Sequence, residues 1–260
     1  MINKSALITG ASGGLGADLA RQLAGRGYDV VLVARSVEPM ESLADEIRRN
    51  HGVTATLLPT DLSIAGSAKV LAERLAAEGI EPDLLVNNAG FGLSEPFLDH
   101  DPERLRMMLQ LNIVSLTELT HFIGRDMRRR GRGHILLVAS VAGYMPDPLL
   151  AAYGASKAYV LSLGVALNVE LAPQVGVTVL SPGYMETGFS AASGFKASPS
   201  LRRGALKSDD VAKIGLDALF AGRSSVVAGR INAFGALATR LISRHALARQ
   251  VFRISGGGQK

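Results

Sequence analysis

Ser5-Ala6-Leu7-Ile8-Thr9-Gly10-Ala11-Ser12-Gly13-Gly14-Leu15-Gly16 is the stretch that decides the fold. A short β-rich run, Ser5 to Thr9, passes directly into a glycine-rich turn, and the turn passes into a segment of helical period, Ala17 to Ala24. Glycines 10, 14 and 16 let the backbone turn tightly and approach a diphosphate, while the helix start offers unpaired N–H groups and a partial positive charge. Gly10, Ser12, Gly13, Gly14, Leu15 and Gly16 are thus candidates to hold a dinucleotide. The common Gly-x-Gly-x-x-Gly spacing is not matched. With 29 glycines in the chain, this spacing arises by chance roughly 0.3 times, and about 0.01 times once the leading threonine is required. The alternative is a strand-to-helix turn that binds nothing.

Outward from this point, β-rich runs alternate with helical stretches to the end of the chain. Strands are expected at 5–9, 29–34, 54–59, 84–87, 134–139, 177–180 and 225–228, with helices near 14–25, 38–50, 64–79, 101–129, 151–171, 208–221 and 232–249. Val30-Val31-Leu32-Val33 is apolar on consecutive residues, so both faces of its sheet need cover. The expected fold is α/β, a three-layer, doubly wound parallel sheet of about seven strands flanked by helices. One domain over 1–260 is expected. Within it, 188–206, which opens on a Gly-, Ser- and Pro-rich stretch, reads as a mobile flap over a ligand, and 230–260 as a basic helical extension.

Composition narrows the class. The 260 residues are 47% hydrophobic and 20% charged, enough to bury a core. The absence of cysteine excludes disulfides, a thiolate nucleophile and Cys-ligated zinc, and the five histidines lack metal-ligand spacing, so no metal is expected. No signal peptide or membrane span is read, and a cytoplasmic location is the expectation. The net charge of +5 is uneven: seven basic residues and no acidic ones follow Asp217, leaving −2 for residues 1–217. That tail reads as a solvated or dimer-facing surface, or as a peripheral contact with an anionic membrane; it lacks the aromatic interleaving of a single-strand binder, and no nucleic acid is expected. The arginines at 125, 128, 129, 130 and 132 read as a solvated helix end.

The end of the second strand, Val33-Ala34-Arg35-Ser36, has no carboxylate to bond a ribose 2′-hydroxyl and supplies a guanidinium instead. Arg35 would pair a 2′-phosphate, which favours NADP over NAD. Tyr153-Gly154-Ala155-Ser156-Lys157 sets a phenol and an ammonium four residues apart on one helix face. Bringing the phenol from a pKa near 10 to near 7 takes about 4 kcal/mol. One ammonium about 4 Å away supplies roughly 1 kcal/mol in bulk water and about 4 kcal/mol at an effective dielectric of 20. A solvated pair would fail; a pair enclosed by cofactor and substrate could reach that shift.

Phosphate loop, basic strand end and Tyr-x-x-x-Lys, in this order and at these distances, resemble the short-chain dehydrogenase/reductase family over nearly the whole chain. Asp61-Leu62, Asn87-Asn88-Ala89-Gly90, Asn112, Ser140 and Pro182-Gly183 reinforce the resemblance. It implies that Tyr153 is the general acid/base, that Lys157 lowers its pKa and holds the nicotinamide ribose, and that Ser140 orients the substrate oxygen. Asn112 is implied as the fourth member, holding a water that links the lysine to solvent. Asp61 and Leu62 would border the adenine, Asn88, Ala89 and Gly90 would shape the cofactor floor, and Met185 and Thr187, beyond Pro182 and Gly183, would meet the carboxamide.

The implied activity is NADP(H)-dependent hydride transfer between nicotinamide C4 and a carbonyl or secondary alcohol. The rival is an NADP-binding regulator or scaffold with little turnover. Phe189, Phe195 and Leu201 hint at a hydrophobic small-molecule substrate. The resemblance also implies a homo-oligomer through the helices at 101–129 and 151–171.

Overall fold

Strands that are apolar on consecutive residues need helices on both faces, and the chain supplies them. The computed structural model describes residues 4–195, 197 and 199–254, with backbone alone at 190–192 and 200. Lys196 and Ser198 of the expected flap, and 255–260 of the basic extension, lie outside the described residues. Strands β1 (Ser5–Thr9), β2 (Asp29–Val33), β3 (Ala55–Leu57), β4 (Leu84–Asn87), β5 (Gly133–Val138), β6 (Val175–Ser181) and β7 (Ser225–Val227) form one all-parallel sheet in the order β3-β2-β1-β4-β5-β6-β7. Register runs from Leu7 opposite Val31 and Leu85 to Leu136 opposite Thr178.

Neighbouring residues on a strand feed opposite layers. Ile8, Leu32 and Val86 pack with α1 (Gly14–Ala24), α2 (Val37–His51) and α9 (Ser208–Phe220), whereas Leu7, Val31 and Leu85 pack with α3 (Ser67–Ala77), α5 (Leu116–Arg130) and α6 (Ala151–Glu170). The remaining helices are α4 (Pro102–Leu109), α7 (Gly188–Ser193), α8 (Pro199–Arg203), α10 (Arg230–Ala238) and α11 (Arg244–Ile254). No helix among the described residues is long and apolar enough to cross a membrane.

Three expectations need correction. The long helix expected over 101–129 is α4 and α5 joined by a π-helical turn, Gln110–Ser115, which inserts an extra residue without breaking the apolar pattern. The last helix, expected over 232–249, is two: a 3₁₀ turn at Thr239–Leu241 ends α10, and the Ser243 hydroxyl accepts from Ala246 N at 3.3 Å to start α11. The stretch over 188–206 holds the short helices α7 and α8. Finally, the arginine cluster is not wholly solvated: Arg130 donates to Pro82 O at 2.7 Å and Arg132 pairs with Asp83 at 3.2 Å, tying the end of α5 to the approach to β4.

Candidate active site

The strand order reverses between β1 and β4, and a crevice opens there beyond the carboxyl ends of the strands. It holds a cavity of about 420 Å³ that runs from the glycine-rich turn to Tyr153. The Thr9 hydroxyl, at the end of β1, accepts from the backbone N–H of Asn88 and of Ala89, both at 3.0 Å, and the Asn88 side chain donates back to Thr9 O at 2.9 Å. These bonds lock the phosphate-loop strand to the segment after β4. Helix α1 begins with no side-chain cap and no acidic residue in its first turn, so its orphan N–H groups face the cavity with their partial positive charge. A Cβ on Gly16 would fall inside the contact distance of the Gly10 carbonyl oxygen, so any larger residue would push the turn off the helix. An uncapped helix start held this close fits the diphosphate of a dinucleotide.

Arg35, just past β2, is two-thirds exposed on the cavity rim, with a guanidinium nitrogen 3.9 Å from Asp61 Oδ2. The other Asp61 oxygen accepts from Ser63 N at 2.9 Å and from Ser63 Oγ at 2.6 Å, an Asx turn. Leu62 also lines the cavity, and its carbonyl accepts from Ser115 Oγ at 2.6 Å.

At the opposite end stand Ser140, after β5, and Tyr153 and Lys157, one turn apart on α6. The Ser140 hydroxyl accepts from Ala142 N at 3.2 Å and lies on the same cavity wall as Tyr153. Lys157 Nζ donates to Val138 O at 2.9 Å and lies 5.7 Å from the centre of the Tyr153 ring. Asn112 does not reach the cavity wall. It sits fully buried in the π turn, where its amide donates to Phe91 O (2.9 Å) and Ser156 Oγ (3.2 Å) and accepts from Phe91 N (3.2 Å). A Cβ built on Gly90 would lie 3.0 Å from Asn112 Oδ1 and 3.4 Å from Lys157 Nζ, so both side chains flank Gly90.

Burial dominates the electrostatics. It pushes the Tyr153 phenol up to about 12; the Ser140 hydroxyl works against this and the Asp147 carboxylate works with it. Burial also lowers Lys157 to about 8 and raises Asp147 to about 6. In the protein alone desolvation dominates the phenol, and the Lys157 ammonium is not among the groups that shift it, so acidity near neutrality requires positive charge brought to the site.

Pro182, Gly183, Met185 and Thr187 line the cavity beyond β6. Sequence reasoning missed Ser36, Thr60, Phe91 and Leu111, which also line it. Ser36, Thr60 and Phe91 adjoin Arg35, Asp61 and Gly90, a signal that could have found them; Leu111 arrives only through the turn around Asn112. Phe189 of α7 sets its ring 5.3 Å from that of Tyr153, and Phe195 lies 6.2 Å from Tyr184. Both phenylalanines pack with Leu93, Met108 and Tyr153, whereas Leu201 is exposed and outside that cluster.

Comparison with known proteins gives consistent relatives. Residues 4–196 match the family model described as short chain dehydrogenase. The chain is 36% identical over 196 residues to a very-long-chain 3-oxoacyl-CoA reductase of Anas platyrhynchos, covering 72% of this chain and 62% of that one. It spans between half and about three fifths of the length of the first curated relatives it matches. Among solved structures, a short-chain dehydrogenase from Sphingobium yanoikuyae in complex with NADPH is 30% identical, with a TM-score of 0.81 over 92% of this chain and 94% of that one. A short-chain dehydrogenase/reductase from Burkholderia phymatum in complex with NAD is 26% identical, with a TM-score of 0.80 over 90% and 92%.

Proposed function

The chain belongs to the short chain dehydrogenase family, and on that premise we propose that it is an NADP-dependent oxidoreductase acting on a carbonyl or secondary alcohol. The observation that carries this reading is one cavity with Ser140, Tyr153 and Lys157 at one end and the uncapped start of α1 at the other. Bound there, the dinucleotide would supply or accept the hydride. Tyr153 Oη gives a proton to the carbonyl oxygen in reduction and takes it from the alcohol in oxidation. Ser140 Oγ donates a second hydrogen bond to that oxygen and stabilises the charge that develops on it. Lys157 bonds the ribose and, when charged, favours the phenolate. Asn112 positions both by clamping Phe91 and α6.

Arg35 supports NADP over NAD, because no carboxylate at the tip of β2 would repel a 2′-phosphate. The apolar ring of Phe91, Phe189 and Phe195 supports a hydrophobic substrate, with α7 and α8 forming the flap over it. The lipid-derived substrate in the duck relative's name points the same way. Exposed Tyr159, Val165 and Val169 on α6 support a homo-oligomer through that helix, and a chain without cysteine suits the cytoplasm.

NADPH oxidation against a panel of carbonyl compounds, with NADH beside it, tests the reading. Turnover of apolar ketones with NADPH favoured is expected. Tight NADPH binding with no turnover across ketones and alcohols would replace it with a regulator that reads cofactor occupancy.

A further inference from the structure

Helix α10 and the turn after it set Ile231, Phe234, Leu237 and Leu241 at spacings of three, three and four, one face of a helix. Their exposures are 86%, 75%, 57% and 90%. Contiguous apolar surface of this kind marks an interaction site. Arg230, Arg240 and Arg244 flank the stripe, and Arg249 and Arg253 follow on α11; all five are exposed, and none pairs with a carboxylate among the described residues. No acidic residue follows Asp217 anywhere in the sequence.

We propose that this α10–α11 segment docks on the surface of an anionic lipid bilayer, apolar stripe in the headgroup boundary and arginines on the lipid charges. Charge complementarity selects this occupant. Two copies packed stripe to stripe would bring Arg230 and Arg240 of each together with no carboxylate on α10 or α11 to offset them, whereas anionic headgroups meet both the arginines and the apolar stripe. A nucleic acid would meet the arginines but leave Ile231 and Leu241, the most exposed of the stripe, in water. Placement adds a consequence. Asn232 packs directly on Gly183 of the cofactor-side wall, and Arg244 and Phe252 line a second cavity of about 580 Å³ with Phe97, Met145 and Leu149. The docked segment therefore adjoins the proposed catalytic cleft.

Flotation of the full chain with vesicles tests this. Vesicles of phosphatidylcholine mixed with phosphatidylglycerol should carry the protein, pure phosphatidylcholine should not, and added salt should weaken the binding. Arg240→Gln or Arg244→Gln should each lower partitioning about fivefold, and Leu241→Glu should abolish it, with NADPH turnover of a water-soluble ketone unchanged in all three. Arg240 is exposed and unpaired, so its variant keeps the test open if Leu241→Glu fails to fold. Failure of the wild type to float with anionic vesicles, or equal binding to neutral ones, would overturn the proposal. So would an oligomer that Leu241→Glu dissociates without vesicle binding in the wild type, or binding to duplex DNA that matches vesicle binding and ignores Leu241→Glu.

Discussion

Lys157 holds its ammonium 5.7 Å from the centre of the Tyr153 ring yet gives its hydrogen bond to the Val138 carbonyl, at 2.9 Å. Burial has brought that ammonium down to about 8, so the free protein loses its charge as pH rises through that value. An anionic dinucleotide favours the charged form. Affinity for NADPH should therefore be flat below about pH 8 and fall above it, and Lys157→Met should bind more weakly with no such fall. Fluorescence titration on either side of pH 8 measures this; the same fall in Lys157→Met would remove the lysine from the explanation.

Tyr153→Phe keeps the buried ring and its packing on Phe189 but removes the proton that the proposed reaction moves. Turnover should be lost with NADPH affinity nearly intact. Measurable wild-type-like turnover would end the acid/base assignment.

Asp147 ionises at about 6 in the folded chain against an ordinary 3.8. Below 3.8 both folded and unfolded chains hold the proton and nothing is lost. As pH rises toward 6 only the unfolded chain releases it, so stability falls and the penalty is complete above 6. Two pKa units correspond to about 3 kcal/mol; partial exposure reduces this to about 1–2 kcal/mol. Asp147→Asn should melt higher than the wild type at neutral pH and no higher below 3.8, as thermal unfolding at the two values will report.

Arg35→Ala should raise KM for NADPH between about tenfold and a hundredfold, the worth of one charge-assisted hydrogen bond at about 1.5–3 kcal/mol. KM for NADH should not move. A parallel rise for both cofactors would show that Arg35 does not read the 2′-phosphate.

Asn112→Ala would leave the half-buried Phe91 N–H and carbonyl without their side-chain partner. Each such group costs about 1–3 kcal/mol, so urea unfolding should show a loss of about 2–4 kcal/mol. Because Asn112 and Lys157 both flank Gly90, kcat should fall more than KM, and the pH limb assigned to the lysine should shift. A stability loss with an unchanged pH profile would confine the residue to a structural role.

Strand runs such as Val30-Val31-Leu32-Val33, the glycine-rich turn and Tyr-x-x-x-Lys were readable because each is local: backbone sterics, side-chain period and helical spacing act within a few residues. The π turn was not readable, since an extra residue in a helical turn leaves composition and apolar pattern intact, and only the bonds from Asn112 to Phe91 and Ser156 reveal its use. The break at Ser243 had a local signal in the capping serine.

By itself the sequence determined the parallel α/β sheet, the order of its elements and which side chains were candidates for the cleft. Tertiary structure alone decided that Asn112 is buried away from the cavity wall, that Leu111 enters the cleft, that burial drives the Tyr153 phenol up and the Lys157 ammonium down, and that the stripe on α10 stays uncovered. The division follows from range. Pattern and turn chemistry are set by neighbours in the chain, whereas desolvation, and the partners that relieve it or fail to, depend on segments that meet only after the chain has folded.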